Sequence, residues 1–370
     1  MNPNLEIKTV LYIGGFELPD KNAAAQRVIG ISKALRELGY RVVLLNALKD
    51  ADIKGTEQKK YFDFECVEYK REPDRDYLFF AKTAIEKIQE IKPDIIIAYN
   101  YPAVALNRIV KYAKEKQIKC YADATEWPAP VGGNIVYKAV KQFDTFYRMR
   151  FVHKKTDGVI SISRFLYEYY EKKVPTVIIP PTIDEKDEKW LGKIKNNTTR
   201  TTFVYAGSPS ALKERLDIIV KAIKTTNSIH NDVVLKVVGV TDKQFISMFL
   251  WNEELPDNVL FLGRVSHRRA IDIVKESDWS IILRDNNRVV KAGFPTKLVE
   301  SISCQVPVIA NDFSNIRDYL DDINSIIIDE IDELVKAIEK AILIKRTPDK
   351  SLFDYHNYLT QLESLLRGIL

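Results

Sequence analysis

The chain has 370 residues, of which 46% are apolar and 29% are charged, and its formal net charge is +5. This balance excludes a disordered or fibrous protein, and the length suffices for two domains with separate hydrophobic cores. So mild a net charge, without any recognised nucleic-acid-binding motif, excludes nucleic acid as an expected partner.

Three further features narrow the class of protein. No apolar run approaches the roughly 20 residues of a membrane-spanning helix, and the start MNPNLEIKTVLYIGGF lacks the pattern of a signal peptide. The chain has only three cysteines and four histidines, without metal-ligand spacing. We therefore expect a cytoplasmic protein without a disulfide framework, a bound metal or another cofactor.

Short runs rich in β-branched residues alternate with amphipathic stretches along the first half. The strand candidates are TVLYIGG, RVVLLNA, FECVEY, DIIIAYN, KCYADA, GVISIS and TVIIPP, and the helix candidate AAAQRVIGISKALRELG ends at Gly39. Such alternation is typical of an α/β fold, in which helices cover both faces of a parallel sheet. It predicts a first domain over residues 1–183.

Residues 184–201, DEKDEKWLGKIKNNTTRT, are polar and charged and are predicted to form a linker. A second alternating series then predicts a domain over residues 202–353, with the strand candidates TFVYAG, VVLKVVG, NVLFLG, SDWSIILR, PVIAND and SIIID. A last helix within about 354–370 is expected to pack back on the first domain. Two doubly wound, Rossmann-like domains would bind a ligand in the crevice beyond the carboxyl ends of both sheets.

The stretch KAGFPTKLVES, residues 291–301, lies between two of these strands. Gly293 permits a tight backbone path, Pro295 fixes φ, and Thr296 is expected to cap a helix. A helix start directs free N–H groups and the positive end of its dipole outward, which suits phosphate. An ordinary strand–loop–helix junction explains the same residues.

Other residues near this helix start fit an anionic ligand. Lys297 is expected to add a mobile positive charge, and Glu300 could accept hydrogen bonds from hydroxyl groups. Backbone N–H groups around Phe294 could contact a bound sugar, and Gly207, after a buried strand, suits close approach to phosphate. Gly207 could equally be only a turn residue.

The first half offers candidates for the acceptor side. Gly14 and Gly15 end the first strand and could let a substrate approach the backbone. The segment from Asn22 to Arg27 forms a loop and helix start that could contact an acceptor, although a plain helix cap explains Asn22 as well.

The motif YADATEWPAP places two acids after a strand. Asp123 or Glu126 could bind an acceptor hydroxyl group or act as a catalytic base, and Trp127 could stack on a sugar. A helix cap and a surface acid are the alternative.

Residues 138–173 contain nine Lys or Arg against four Asp or Glu, with many aromatic residues between them. Basic residues interleaved with aromatic ones resemble an interfacial surface, which predicts peripheral contact with an anionic membrane at its inner face. Packing of these aromatic residues in the domain core is the alternative.

Several of these segments resemble one known family. FVYAGSPSALKERLDIIVKAI, NVLFLGRVSHRRAIDIVKESDWSIILR and AGFPTKLVESISCQVPVIAND are similar, in this order, to the donor-binding domain of GT-B glycosyltransferases, most closely the retaining family four. NAAAQRVIGISKALRELGYRVVLL, YADATEW, FVHKKTDGVISISRFLYEYY and VIIPPTID resemble its acceptor domain. The resemblance covers nearly the whole chain and implies GT-B architecture, with two Rossmann-like domains facing across a crevice.

The resemblance also implies roles for single residues. It implies that Glu300 holds the ribose hydroxyl groups of a nucleotide, that Lys213 contacts its diphosphate, and that the backbone at Arg264 contacts the base. The surface is the alternative place for the Arg264 side chain. The family has a further Glu at the position of Ala292 and an Arg at the position of Ser208, so two of the usual donor contacts are altered.

Three basic residues of one loop, Arg284, Arg288 and Lys291, could replace the missing Arg. A solvated loop explains each of them singly.

The resulting hypothesis is a glycosyltransferase that uses a UDP- or GDP-type nucleotide-sugar as substrate and a glycan or lipid-linked acceptor. The resemblance implies retention of anomeric configuration and a role in surface polysaccharide assembly. Two alternatives stay open: a nucleotide-sugar epimerase of the same fold, and a non-catalytic relative that binds nucleotide-sugar or scaffolds a partner. The altered positions Ala292 and Ser208 favour the second alternative.

Overall fold

A computed structural model describes residues 7–19, 22–49, 52–71, 75–129, 133–192, 194, 199–209, 213–230 and 232–369. The chain divides into two compact units, one formed by Met1–Thr182 with Tyr355–Leu370 and the other by Ile183–Asp354. Each unit alternates strands and helices around its own sheet, which confirms the predicted α/β fold.

The first unit contains an eight-stranded sheet in the order β3-β4-β2-β1-β5-β6-β7-β8. All neighbouring strands are parallel except β3 and β4, which form an antiparallel hairpin at one edge. The strands are β1 (Thr9–Gly14), β2 (Arg41–Leu48), β3 (Thr56–Tyr61), β4 (Phe64–Lys70), β5 (Ile95–Tyr99), β6 (Lys119–Ala124), β7 (Gly158–Ser161) and β8 (Thr176–Ile178).

Helices α1 (Ala23–Glu37), α2 (Lys82–Ile91), α3 (Ala103–Glu115), α4 (Ile135–Tyr147) and α5 (Arg164–Tyr170) connect these strands. Helix α3 shows how the core forms, since its residues Leu106, Ile109, Val110 and Ala113 recur at helical spacing and are buried against the sheet. Shorter π- or 3₁₀-helical turns span Asp76–Phe80, Arg148–Val152 and His153–Lys155.

The second unit contains a six-stranded parallel sheet in the order β11-β10-β9-β12-β13-β14. Its strands are β9 (Thr201–Ala206), β10 (Val233–Val238), β11 (Val259–Phe261), β12 (Trp279–Ile282), β13 (Val308–Asn311) and β14 (Ser325–Ile328). Its helices are α6 (Leu216–His230), α7 (Asp242–Phe249), α8 (His267–Lys275), α9 (Arg288–Ala292), α10 (Thr296–Ser303) and α11 (Leu334–Leu343). Short 3₁₀ turns span Glu188–Trp190, Ile316–Asp318, Ile331–Glu333 and Lys350–Phe353.

The end of the chain returns to the first unit through the 3₁₀ turn Tyr355–Tyr358 and helix α12 (Leu359–Arg367). There the Tyr121 hydroxyl group of β6 donates a hydrogen bond of 3.4 Å to the Leu365 carbonyl oxygen. None of the helices in the described ranges combines the length and apolar composition needed to cross a membrane.

The predicted linker, residues 184–201, needs correction for residues 184–192, which belong to the second unit. Trp190 is buried, and the Leu191 carbonyl oxygen accepts a hydrogen bond of 2.6 Å from the buried Lys275 ammonium group. The polar composition of this segment suggested a linker, although Trp190 and the Leu191 carbonyl group both contact the second unit. Residues 193 and 195–198 lie outside the described residues.

Each sheet has one switch point, at its first strand, from which the strand order runs outward in two opposite directions. Strand β1 lies between β2 and β5, and β9 lies between β10 and β12. In open α/β sheets, ligands bind beyond the carboxyl ends of the strands at such points.

Candidate functional site

Two segments meet at the carboxyl end of β9. Gly207 directly follows this strand, and Lys297 lies in the first turn of α10. The Cε atom of Lys297 is only 3.3 Å from the position that a Cβ atom at Gly207 would occupy. The end of β9 and the start of α10 are therefore in close contact at the switch point.

Two glycines shape the backbone there. Gly207 has φ of +138° and Gly239 has φ of +104°, values that L-residues with side chains rarely adopt. A Cβ atom at Gly239 would lie 2.4 Å from the Gly207 carbonyl oxygen. The turn after β9 therefore requires both glycines, which supports the turn interpretation of Gly207.

A buried carboxylate organises the cationic side chains beside this turn. Glu214 Oε1 is 2.8 Å from the Arg284 guanidinium group, and Glu214 Oε2 is 2.9 Å from Lys297 Nζ. Lys297 Nζ also donates a hydrogen bond of 2.8 Å to the Tyr205 hydroxyl group. We call Tyr205, Glu214, Arg284 and Lys297 the Glu214 cluster. Its two cations share one carboxylate, so one positive charge is left over.

The electrostatics of the cluster follow from burial and mutual contact. Burial lowers the pKa of Lys297 to about 8, with Glu214 opposing the shift and Arg284 adding to it. Burial acts to raise the pKa of Glu214, but Lys297 and Arg284 outweigh it and hold this pKa below its usual value. The Arg284 Nε atom is buried without a hydrogen-bond partner among the described residues. The cluster is thus a positively charged, largely buried site in which the Arg284 Nε–H group is an unused hydrogen-bond donor.

The prediction that Lys297 is a mobile charge is wrong, because its ammonium group is fixed between Tyr205 and Glu214. Of the three loop residues proposed to replace the missing Arg, Arg284 belongs to the cluster, whereas Arg288 and Lys291 are exposed on α9.

Lys213 precedes Glu214 and is half-buried. Its side chain forms no ion pair with the residues that the structure describes. Its carbonyl oxygen accepts a hydrogen bond of 3.2 Å from the backbone of Asp285, which follows β12. Lys213 is therefore a third cation at this edge, beside Arg284 and Lys297, and its charge is available to a ligand.

The start of α10 differs from the prediction. Pro295 is the N-cap residue, Thr296 is already helical, and no side chain caps the first turn. The assignment of Thr296 as the cap is therefore wrong by one residue. Without a capping side chain, the N–H groups of the first turn point outward with the positive end of the helix dipole.

Glu300 lies one turn further along α10. Its Oε1 atom is 3.1 Å from Nε2 of His267, the first residue of α8, and both side chains are about one-fifth exposed, at 17% and 21%. The imidazole ring restrains one carboxylate oxygen of Glu300 while part of the side chain stays accessible.

The loop between α9 and α10 contains two further candidates, Gly293 and Phe294. Gly293 has an ordinary φ of −94°, and a Cβ atom there would come no closer than 3.6 Å to Val289 O, so the fold itself does not require glycine. The Phe294 ring is buried and packs edge-on against Tyr319 at 5.3 Å, so the predicted sugar contact at Phe294 stays one through its backbone. Pro295 is also buried.

The remaining donor-side candidates lie around this cluster. Ser208 and Arg264 are exposed, which fits the surface alternative for the Arg264 side chain. Ala292 is fully buried on α9, so a methyl group stands where the resemblance places an acid.

In the first unit, Arg27 and Asp123 form a buried ion pair instead of an acceptor site. Arg27 Nη2 lies 2.7 Å from Asp123 Oδ1, Nε lies 2.9 Å from the same oxygen, and the Tyr12 hydroxyl group donates to Oδ2 at 2.5 Å. Arg27 is 1% exposed and Asp123 0% exposed. The predicted catalytic role of Asp123 and acceptor role of Arg27 are therefore corrected to a structural role.

Glu126, three residues later, has a different environment. It is half-buried after β6, and its carboxylate forms no ion pair or hydrogen bond within the described part of the chain. Trp127 packs edge-on against Tyr169 at 5.0 Å and Phe165 at 6.0 Å. Of the two acids in this motif, only Glu126 is open to a substrate.

The other acceptor-side candidates serve the local fold. Asn22 caps α1, since its Oδ1 atom accepts a hydrogen bond of 2.9 Å from the backbone of Ala25. A Cβ atom at Gly14 would lie 2.6 Å from the Phe16 ring, and one at Gly15 would lie 3.2 Å from the Ala47 carbonyl oxygen. Protein atoms therefore occupy the positions that side chains at Gly14 and Gly15 would need, which explains both glycines by local packing.

Sequence reasoning missed Glu214 and Tyr205 because their partner Lys297 is 83 and 92 residues away. The available signal was an acid directly after Lys213, at a strand end already expected to bind phosphate. Within the described ranges, no group of three or more His, Cys, Asp or Glu side chains is placed to hold a metal ion.

Comparison with known proteins identifies the family. The model described as Glycosyltransferase Family 4 matches residues 24–187, and the model described as Glycosyl transferases group 1 matches residues 186–351. Together they span almost the whole chain. The chain belongs to the GT-B glycosyltransferases, as the sequence resemblance implied. A sequence search of curated proteins finds no match.

Solved structures share the fold at low sequence identity. Sucrose-phosphate synthase from Thermosynechococcus elongatus matches with a TM-score of 0.70 and 14% identity, covering 98% of this chain and 99% of that one. The catalytic domain of starch synthase IV from Arabidopsis thaliana, bound to ADP and acarbose, matches with 0.68 and 12%, covering 98% and 99%. HepE from Anabaena, in complex with UDP-glucose, matches with 0.65 and 14%, covering 97% and 99%.

Proposed function

We propose that this glycosyltransferase uses a nucleoside-diphosphate sugar as donor and transfers the sugar, with retention, to a hydroxyl group of a glycan or lipid-linked acceptor. In this reaction the bond from the anomeric carbon to the diphosphate breaks and a bond to the acceptor oxygen forms. The acceptor proton leaves, and negative charge develops on the diphosphate. We propose surface polysaccharide assembly as its setting.

The Glu214 cluster is the observation that carries this proposal. Its surplus positive charge and the unpartnered Arg284 Nε are joined through Glu214 to Lys297, which lies in the uncapped first turn of α10 beside Gly207. Charges already held in place stabilise a leaving group without reorganisation during the reaction. This is what departure of a diphosphate requires. We propose that Lys213 adds a further contact and that neither a metal nor another cofactor takes part.

Glu300 is proposed to hold the ribose of the donor, with His267 as its positioning residue. A carboxylate that a neighbouring ring already holds in place loses little side-chain freedom when it accepts hydroxyl hydrogen bonds. In the first unit, Glu126 is proposed to bind the acceptor hydroxyl group and to receive its proton. The cytoplasmic location stays a prediction.

The proposal is tested by incubating the full chain with UDP- and GDP-sugars and separating the products by chromatography. We expect slow release of free nucleotide, which a suitable acceptor accelerates. An isomerised sugar would instead indicate an epimerase. Nucleotide binding without any release would indicate the non-catalytic relative that the exposed Ser208 and buried Ala292 favour.

Replacement of Glu300 by Ala is expected to weaken nucleotide binding by roughly 1.5–3 kcal/mol, the scale of a lost hydrogen bond to a charged group. Calorimetric titration with UDP and GDP measures this change. The matched control is Glu339→Ala. It breaks a similar Glu–His contact, of 3.5 Å with His230, whose side chains are more exposed. Equal affinity in Glu300→Ala and the parent protein would remove the ribose assignment.

Nucleotide affinity is expected to fall as the pH rises through about 8, where Lys297 loses its proton. Below this pKa the charged ammonium group attracts the diphosphate, and above it that attraction is lost. A titration series from neutral to alkaline pH measures the effect. Lys297→Arg keeps its charge across this range, so its affinity should stay flat. A parent protein with equally flat affinity would contradict the role of Lys297.

A further inference from the structure

Helix α4 carries its apolar residues on the outside. Ile135, Val136 and Phe143 are 86%, 70% and 58% exposed, and Val140 and Phe146 are close to half exposed. At 100° per residue these five side chains fall within one arc of the helix. We call them the α4 apolar face. Exposed apolar clusters of this kind mark interaction surfaces in soluble proteins.

Polar residues on the opposite side attach this helix to the first unit. Asp144 Oδ1 accepts a hydrogen bond of 2.7 Å from the backbone of Ala103 at the start of α3. The buried Thr145 hydroxyl group donates to the Pro128 carbonyl oxygen at 3.5 Å. The helix is thus inverted relative to an ordinary surface helix, which buries its apolar side. Core packing therefore does not explain the α4 apolar face.

Uncompensated positive charge adjoins this face. The Arg150 guanidinium group lies 5.1 Å from the centre of the Phe146 ring, and Lys154 and Lys173 flank the Tyr169 ring at 5.3 Å and 4.7 Å. None of these three cations forms an ion pair with an acid that the structure describes. Burial, and then Lys173 and Arg150, lower the pKa of Lys154. We call Arg150, Lys154 and Lys173 the basic cluster.

We propose that the α4 apolar face and the basic cluster together bind the surface of an anionic lipid bilayer. The apolar side chains enter the boundary between headgroups and acyl chains, and the cations pair with acidic headgroups. Charge decides between this occupant and a second copy of the chain. A second copy would present the same unneutralised cations, whereas an anionic bilayer neutralises them. The proposal does not depend on the identity of the sugar donor.

Co-sedimentation of the full chain with vesicles tests the proposal. One set of vesicles contains phosphatidylcholine alone, and the other contains phosphatidylcholine mixed with phosphatidylglycerol. We expect recovery with the mixed vesicles at low salt and loss of it at high salt, because salt screens the attraction. Recovery should be small with the neutral vesicles.

Two double variants separate the contributions. Ile135→Ser/Phe143→Ser removes exposed apolar groups and should lower the binding constant at least about tenfold. Arg150→Gln/Lys173→Gln should lower it roughly 25-fold, at about fivefold for each basic residue near an anionic surface. All four side chains are exposed, so the variants should fold like the parent protein.

Matched controls come from the second unit. Leu250→Ser/Leu343→Ser removes two apolar side chains that are 85% and 84% exposed, and Lys243→Gln/Lys336→Gln removes two exposed cations. Neither control should change vesicle binding. Equal recovery with both kinds of vesicle, or equal loss in tests and controls, would overturn the proposal. So would a concentration-dependent dimer in light scattering that the α4 variant converts to monomer.

Discussion

Asp123→Asn is expected to destabilise the first unit by about 3–5 kcal/mol, the usual effect of removing one partner of a buried ion pair. The substitution keeps the shape of the side chain but leaves the Arg27 guanidinium charge buried without its counter-ion. Urea unfolding followed by circular dichroism measures the change. The double variant Arg27→Met/Asp123→Leu should be less destabilised than the single one, because neither charge is left alone.

Glu126→Gln, in the same motif, is expected to affect turnover where Asp123→Asn affects stability. The Glu126 carboxylate forms no ion pair or hydrogen bond with the described residues, so unfolding and nucleotide binding should match those of the parent protein. Turnover should fall by at least ~10², within the range for a positioned acid or base. The opposite pattern, with Asp123→Asn stable but inactive and Glu126→Gln active, would return the catalytic role to Asp123.

Glu214→Ala is expected to destabilise the second unit by about 3–5 kcal/mol, since Lys297 and Arg284 would then face each other without a counter-ion. The free energy of unfolding in urea measures this loss. Added UDP should restore part of the stability, because the diphosphate supplies the missing negative charge. The control is Glu253→Ala, whose pair with Lys224 is about half exposed and should contribute little.

The pH dependence gives an independent check on Glu214. Its pKa is lowered in the folded state, so its contribution to stability is complete above the pKa of the unfolded chain. That contribution is lost as the pH falls through the lower, folded value. The parent protein should therefore lose stability in acid over this window, and Glu214→Ala should lack this part of the loss. Equal stability of Glu214→Ala and parent at neutral pH would contradict the cluster.

Local sequence patterns predicted most strands, because buried parallel strands are continuous apolar runs. Strand β3, with the sequence TEQKKY, was missed since none of its residues is buried and it pairs only with β4 at the sheet edge. Its hairpin turns at Phe62 and Asp63, which have φ of 50° and 66°, in place of the Asn-Gly signal typical of such turns.

The candidate site was predictable only where chemistry is local. The helix start after Pro295 and the carboxylate of Glu300 lie within one stretch of sequence, and both were recognised from it. The contrast between Asp123 and Glu126 was not visible, because it depends on Arg27, which is 96 residues away from Asp123. A single sequence gives no information on which distant charge neutralises which acid.

Titration of UDP and GDP into the parent protein and Arg284→Ala, read as the shift in unfolding free energy, tests the central claim most directly. We expect one of the two nucleotides, at 100 times its dissociation constant, to stabilise the parent protein by about 2.7 kcal/mol. The same concentration should stabilise Arg284→Ala much less, because the variant lacks the donor facing the diphosphate. No stabilisation by either nucleotide, or equal stabilisation of both proteins, would contradict a diphosphate site at the Glu214 cluster.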